Sequence, residues 1–142
     1  MAHEFARNIQ DASLNPATFA LPTTLLVAGA TKSAAIDLGA DTVKPENIEA
    51  ELAVPALNAT IAPAAATVGV TYEIFASASS TLNTVDRIIA SKTVAGSGSG
   101  IVAQAVRGRL PSDCPRYLGA RVYLSTTCTD ASAVAGTLTL RF

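Results

Sequence analysis

Arg116-Tyr-Leu-Gly-Ala-Arg-Val-Tyr-Leu-Ser125 and Val134-Ala-Gly-Thr-Leu-Thr-Leu-Arg-Phe142 alternate apolar with polar or small residues, and a polar bend, Thr126–Ser132, lies between them. In the first arm Leu118, Ala120, Val122 and Leu124 fall on one side, and Tyr117, Gly119, Arg121 and Tyr123 on the other. In the second, Leu138, Leu140 and Phe142 oppose Thr137, Thr139 and Arg141. Successive side chains of a strand point to opposite faces, so a sustained period of two marks strands with one face in a core. The two arms and their bend predict a terminal β-hairpin.

The same period recurs upstream. Within Glu46–Leu57, Ile48, Ala50, Leu52 and Val54 alternate with Asn47, Glu49, Glu51 and Ala53, which predicts a half-buried strand whose acidic face is solvated and whose far end is limited by Pro55. Val68–Ala76 reads as a central strand, with Val68, Val70, Tyr72 and Ile74 on one face and Gly69, Thr71, Glu73 and Phe75 on the other. Val85–Val94 and Ile101–Val106 flank Gly96-Ser-Gly-Ser-Gly100, which predicts a second hairpin with a flexible tip. Thr23–Ala28 and Ser33–Gly39 read as short strands, and Asn58–Thr67, rich in Ala and Pro, as a connection. About eight short strands with turn signals between them and no convincing helix give an all-β fold. It is an antiparallel β-sandwich, with an eight-stranded jelly roll as the leading arrangement. Residues 1–22 lack a period and contain Asn15-Pro16 and Leu21-Pro22, so they read as an extended N-terminal arm ahead of a single domain at 23–142. Its spaced apolar residues Phe5, Ile9, Leu14 and Phe19 could bury against this molecule or another one.

Apolar residues make up 49% of the chain and aromatics only 5%, so the core is built of aliphatic and small side chains. A run of 18 apolar residues, as a membrane helix needs, is missing, and the first residues do not read as a signal peptide; a soluble protein made in the cytoplasm is expected. Charge is unevenly spread. Residues 1–60 carry seven acids against three bases, and residues 61–142 carry four acids against seven bases, six of them Arg. Two readings stay open: oppositely charged strands pair within the fold, or a basic patch meets an acidic partner surface. The formal net charge of −1 does not suit a nucleic-acid binder.

Catalytic and metal-binding constellations are hard to assemble. The single His, His3, cannot readily serve a nucleophile from a chain end, and with Cys114 and Cys128 it cannot complete a zinc quartet. Those two cysteines read as buried thiols before a disulfide. Glu49 and Glu51 could pair as glycosidase carboxylates, but two carboxylates on the polar face of a strand are commonly just solvated. The Gly96–Gly100 stretch lacks the Gly-Lys-Ser/Thr ending and following helix of a phosphate loop. The expectation is a protein that is not an enzyme and uses no cofactor or metal.

Ser33-Ala-Ala-Ile-Asp-Leu-Gly39, the acidic alternating strand after it, Arg116-Tyr-Leu-Gly-Ala-Arg-Val-Tyr123 and the closing Gly136-Thr-Leu-Thr139 together resemble the small cement, or decoration, proteins of tailed bacteriophage capsids. The resemblance spans roughly residues 33–142 and leaves the N-terminus unmatched. It implies a jelly-roll homo-oligomer, a dimer ahead of a trimer, on the outside of the virion. There it would bind the major capsid protein and tie neighbouring capsomers together, with no nucleic acid or membrane as partner. Under that resemblance Phe5, Ile9, Leu14 and Phe19 are expected to contact the shell or a sister subunit, and Arg107 and Arg109 acidic groups of the shell. Tyr117, Arg121, Tyr123 and Arg141 share the outer face of the terminal hairpin, which in an oligomer is expected to be an interface, since Tyr and Arg favour such positions. The alternatives are another virion module, such as a trimeric head fibre or tail component, and a small ligand-binding β-sandwich.

Overall fold

A computed structural model describes residues 17–21, 32–39, 48–124 and 134–141. Their eight strands are β1 (Ala17–Ala20), β2 (Ile36–Asp37), β3 (Glu49–Val54), β4 (Gly69–Ser77), β5 (Arg87–Ala95), β6 (Gln104–Arg109), β7 (Tyr117–Leu124) and β8 (Ala135–Arg141). They form two antiparallel four-stranded sheets, of order β1-β8-β3-β6 and β2-β7-β4-β5, packed as a β-sandwich with no helix among the described residues.

Alternation decides which side of each strand enters the core. Ile48, Ala50, Leu52 and Val54 around β3, Leu138 and Leu140 on β8, and Val106 on β6 line the inner face of the first sheet. Val70, Tyr72, Ile74 and Ala76 on β4, with Leu118, Ala120, Val122 and Leu124 on β7, line that of the second. Burying each larger aliphatic side chain contributes about 1.5–3 kcal/mol, and the layer needs both sheets to exclude water.

Two expected hairpins are absent. The strands β7 and β8 belong to different sheets, β7 beside β2 and β4, β8 beside β1 and β3. Their inner faces join one core instead of sharing a ladder. Alternation specifies which face a strand buries and carries no information on its neighbour, so two amphipathic strands joined by a bend fit a sheet-to-sheet crossing as well as a hairpin. The Gly96–Gly100 stretch likewise links β5 of one sheet to β6 of the other. Gly96 and Gly100 serve close packing, whereas Gly98 faces open space. Gly100 has φ +94°, and a Cβ there would sit 2.5 Å from the Leu57 carbonyl oxygen. Leu57 and Ile101 exchange both backbone hydrogen bonds, at 2.8 Å each, so the chain is pinned before β6 begins three residues later than expected.

The segment read as an arm is partly in the fold. Ala17–Ala20 pairs with β8, and Phe19 faces Gly136, whose missing side chain leaves room for the ring. Phe19 and Leu21 are buried in the core, so Phe19 is not a contact for another molecule and the sandwich begins at Ala17 or earlier. Phe5, Ile9 and Leu14, the Thr23–Ala28 run, the Thr126–Ser132 bend and Cys128 lie outside the described residues; Cys114 is buried.

Phe19→Ala is expected to destabilise the domain by about 3 kcal/mol, the usual result of emptying an aromatic site in a core. An unchanged urea midpoint would return Phe19 to a surface role. Tyr72 is fully buried, and its hydroxyl has no hydrogen-bond partner among the described residues. Burial pushes its pKa up to about 12, so the phenol stays neutral. Tyr72→Phe removes an unsatisfied polar atom and should raise unfolding stability by about 1 kcal/mol, read from the same denaturation curves.

Candidate interaction surface

Each sheet turns one face outward, and each outward face holds a carboxylate where strand register places arginine across from it. On the second sheet Glu73 of β4 pairs in register with Arg121 of β7. Glu73 is only 2% exposed. Arg121 donates from Nε to Oε1 at 2.7 Å and from Nη2 at 2.6 Å, and the Tyr123 hydroxyl donates to Oε2 at 3.3 Å. The Arg121 guanidinium also lies 5.3 Å from the Phe75 ring centre and 5.0 Å from that of Tyr123, within cation–π range. Burial, followed by the nearby Glu73 charge, raises the Tyr123 phenol pKa.

A loop closes over this cluster. Leu82, held at φ +54°, packs its side chain into the space above Gly119 and Phe75, and the Lys32 ammonium donates to the Leu82 carbonyl at 2.6 Å. The Arg121 side chain is left 12% exposed, with its donors turned into the protein. Tyr117 stands further along, beneath the Arg116 guanidinium, which Asp37 holds through two 2.8 Å hydrogen bonds. The face carrying Tyr117, Arg121 and Tyr123 therefore satisfies much of its polarity internally, as the pairing reading of the charge distribution requires.

The first sheet's outer face is arranged differently. Register puts Glu49 between Arg109 of β6 and Arg141 of β8, and Glu51 between Arg107 and Thr139. Further along, Ala53 lies between Ala105 and Thr137. One end is thus charged and the other built of small residues, where Ala53, Pro55, Ala103, Ala105 and Ala135 line an open depression of about 410 Å³. Glu51, expected in solvent, is 7% exposed because two arginines cover it. Arg107 donates from Nε to Oε2 and Arg141 from Nη2 to Oε1 at 2.7 Å. Burial pushes the Glu51 carboxyl up, but the hydrogen bonds and charges of Arg141 and Arg107 together outweigh it and hold the pKa below the ordinary 4.5.

The two arginines themselves remain 55% and 56% exposed, with further N–H groups directed away from Glu51. The Arg109 side chain makes no ion pair or hydrogen bond among the described residues. Arg107 and Arg109 therefore share a face with each other and with Arg141, and the structure sets them on the opposite side of the sandwich from Tyr117, Arg121 and Tyr123. The anchoring role of Glu51 was missed from sequence, and Arg141, expected beside Tyr117, Arg121 and Tyr123, lies instead on the other sheet with Arg107 and Arg109. The signal was present: acids at 49 and 51 and arginines at 107 and 109 share the strand period and the opposite sign, as cross-strand pairs do.

No family model, curated protein or solved structure matches the chain.

Glu51 supplies a pH-dependent part of stability. Its folded-state pKa lies below the unfolded value, so as pH falls the unfolded chain takes up the proton first. The contribution is complete above the unfolded pKa and disappears as pH drops through the folded one. Glu51→Gln should lose about 1–2 kcal/mol at neutral pH, less than for a fully buried pair because both arginines stay half in water. Its stability should also decline less steeply than that of the parent below about pH 5. Urea titrations at a series of pH values check both.

Proposed function

We propose that the protein is a structural virion component, a capsid cement protein that binds the outside of a shell of major capsid protein and ties neighbouring capsomers together. What carries the proposal is the outer face of the β1-β8-β3-β6 sheet, a broad surface with small residues at one end and half-exposed arginines at the other. A protein that bridges large neighbours needs area and many modest contacts more than a deep cleft, and oligomerisation multiplies such contacts through effective concentration.

The winding supports the same reading. Strand pairs 1–8, 2–7, 3–6 and 4–5 nest inside one another, a pairing that the jelly roll of this proposal would have. The short motifs that resemble the cement family fall on it in order: Ile36–Asp37 in β2, Tyr117–Tyr123 in β7 and Gly136–Thr139 in β8. In this role Phe5, Ile9 and Leu14 precede β1 as apolar anchors for the shell or a sister subunit, and the assembled state is a homo-oligomer.

The test is co-sedimentation with purified phage shells that lack their own decoration protein. Saturable binding in amounts comparable to the shell protein is expected, and it should drop in a variant lacking residues 2–16, which keeps β1. A protein that stays in the supernatant at every shell concentration rules the proposal out.

A further inference from the structure

We propose that the arginine end of this face is a receptor for an extended acidic segment of a partner protein, one with carboxylates on alternate residues. The inference deepens the cement reading and relies on it only for where such a segment would come from.

Three features of the face carry it. Arg107 and Arg109 alternate on β6, so their side chains leave the same face about 6.6–6.8 Å apart, the repeat of any extended chain. A partner strand with acids at every second residue carries that same repeat. Arg107 is gripped through Nε, which leaves its two terminal nitrogens to present a fixed pair of donors outward. Arg141 is held by the same carboxylate through one nitrogen. Glu51 thus pins two guanidiniums before any partner arrives, which reduces the side-chain entropy lost on binding. This end therefore holds three arginines against the two carboxylates Glu49 and Glu51, a net positive charge, and the Glu51 carboxylate is turned from solvent while the arginines are half exposed.

Nucleic acid is the weaker match. The strand between the arginines carries Glu49 on the same face, and a phosphodiester chain laid across it would meet that carboxylate. Paired donors at the strand repeat suit carboxylates on alternate residues, and a formal net charge of −1 gives the chain no wider field for a polyanion.

The probe is a fluorescently labelled synthetic peptide with glutamate at every second position in a Ser/Thr background, titrated with the full-length protein. Saturable binding is expected, weakening as salt rises from about 50 to 200 mM. Arg109→Gln and Arg107→Gln should each weaken it by roughly fivefold or more. The Arg109 side chain has no ion-pair or hydrogen-bond partner among the described residues to lose, so its substitution is expected to leave the melting temperature unchanged and to separate binding from folding. Lys92→Gln, an equal charge change on β5 of the other sheet, should leave affinity unaltered. The inference is overturned by the absence of saturable binding or by an equal loss in Lys92→Gln. Equally strong binding of the all-glutamine peptide, or of a single-stranded oligonucleotide competing for the arginines, also overturns it. Peptide binding without shell binding keeps this inference and removes the cement reading; arginine-independent shell binding without peptide binding does the reverse.

Discussion

Leu52, Val54, Leu138 and Leu140 from one sheet meet the apolar layer that Val70, Ile74, Leu118, Val122 and Leu124 supply from the other, and neither sheet holds without that layer. A sheet with one apolar face is unstable in water until the face is covered, and with no helix among the described residues the cover is the second sheet. Other features follow from this constraint. The chain must cross repeatedly between layers, which is why β5 leads to β6 and β7 to β8 across the sandwich. Glycines sit where a crossing brings backbone against backbone, as at Gly100 beside Leu57.

With the inner faces settled, the outer faces separate the two buried carboxylates among the described residues into different roles. Glu73 is buried against Arg121, whose guanidinium lies beside the rings of Phe75 and Tyr123, so its pair serves the fold. Removing water from both charges forfeits much of what their attraction returns, and such a pair contributes little net stability compared with apolar packing. Glu51 is also enclosed, but by arginines that stay half in water. Their charge remains available to another molecule, and their position is fixed by a group that no partner has to touch. The same residue types at the same strand spacing thus yield an internal brace on one side and a presented surface on the other. The difference is exposure: the Arg121 side chain is nearly enclosed, whereas those of Arg107 and Arg141 stay more than half in water.

How much was legible in the sequence follows from the kind of signal each feature leaves. The inner residues of β3, β4, β7 and β8 were readable because a period of two directly encodes burial on one face. Charge pairing was readable as an alternative, since acids concentrate before residue 60 and arginines after it, yet only register joins Glu51 to Arg107 and Arg141. The two hairpins failed because a polar bend between amphipathic strands looks alike whether the chain returns in the same sheet or passes to the other. Phe19 failed for a related reason: four residues of strand are too short to show a period, and the pocket that receives its ring is made by Gly136, over a hundred residues away.

Composition and alternation by themselves determined that this protein is all-β and which residues of β3, β7 and β8 line the core, because those properties are local to the chain and repeat every second residue. Which strands neighbour one another, which arginines are enclosed and which are presented, and whether a flexible-looking glycine stretch is a tip or a tight crossing were decided only in the tertiary structure. Those outcomes rest on contacts between segments far apart in sequence, and a pattern confined to one segment carries no record of the segment it will meet.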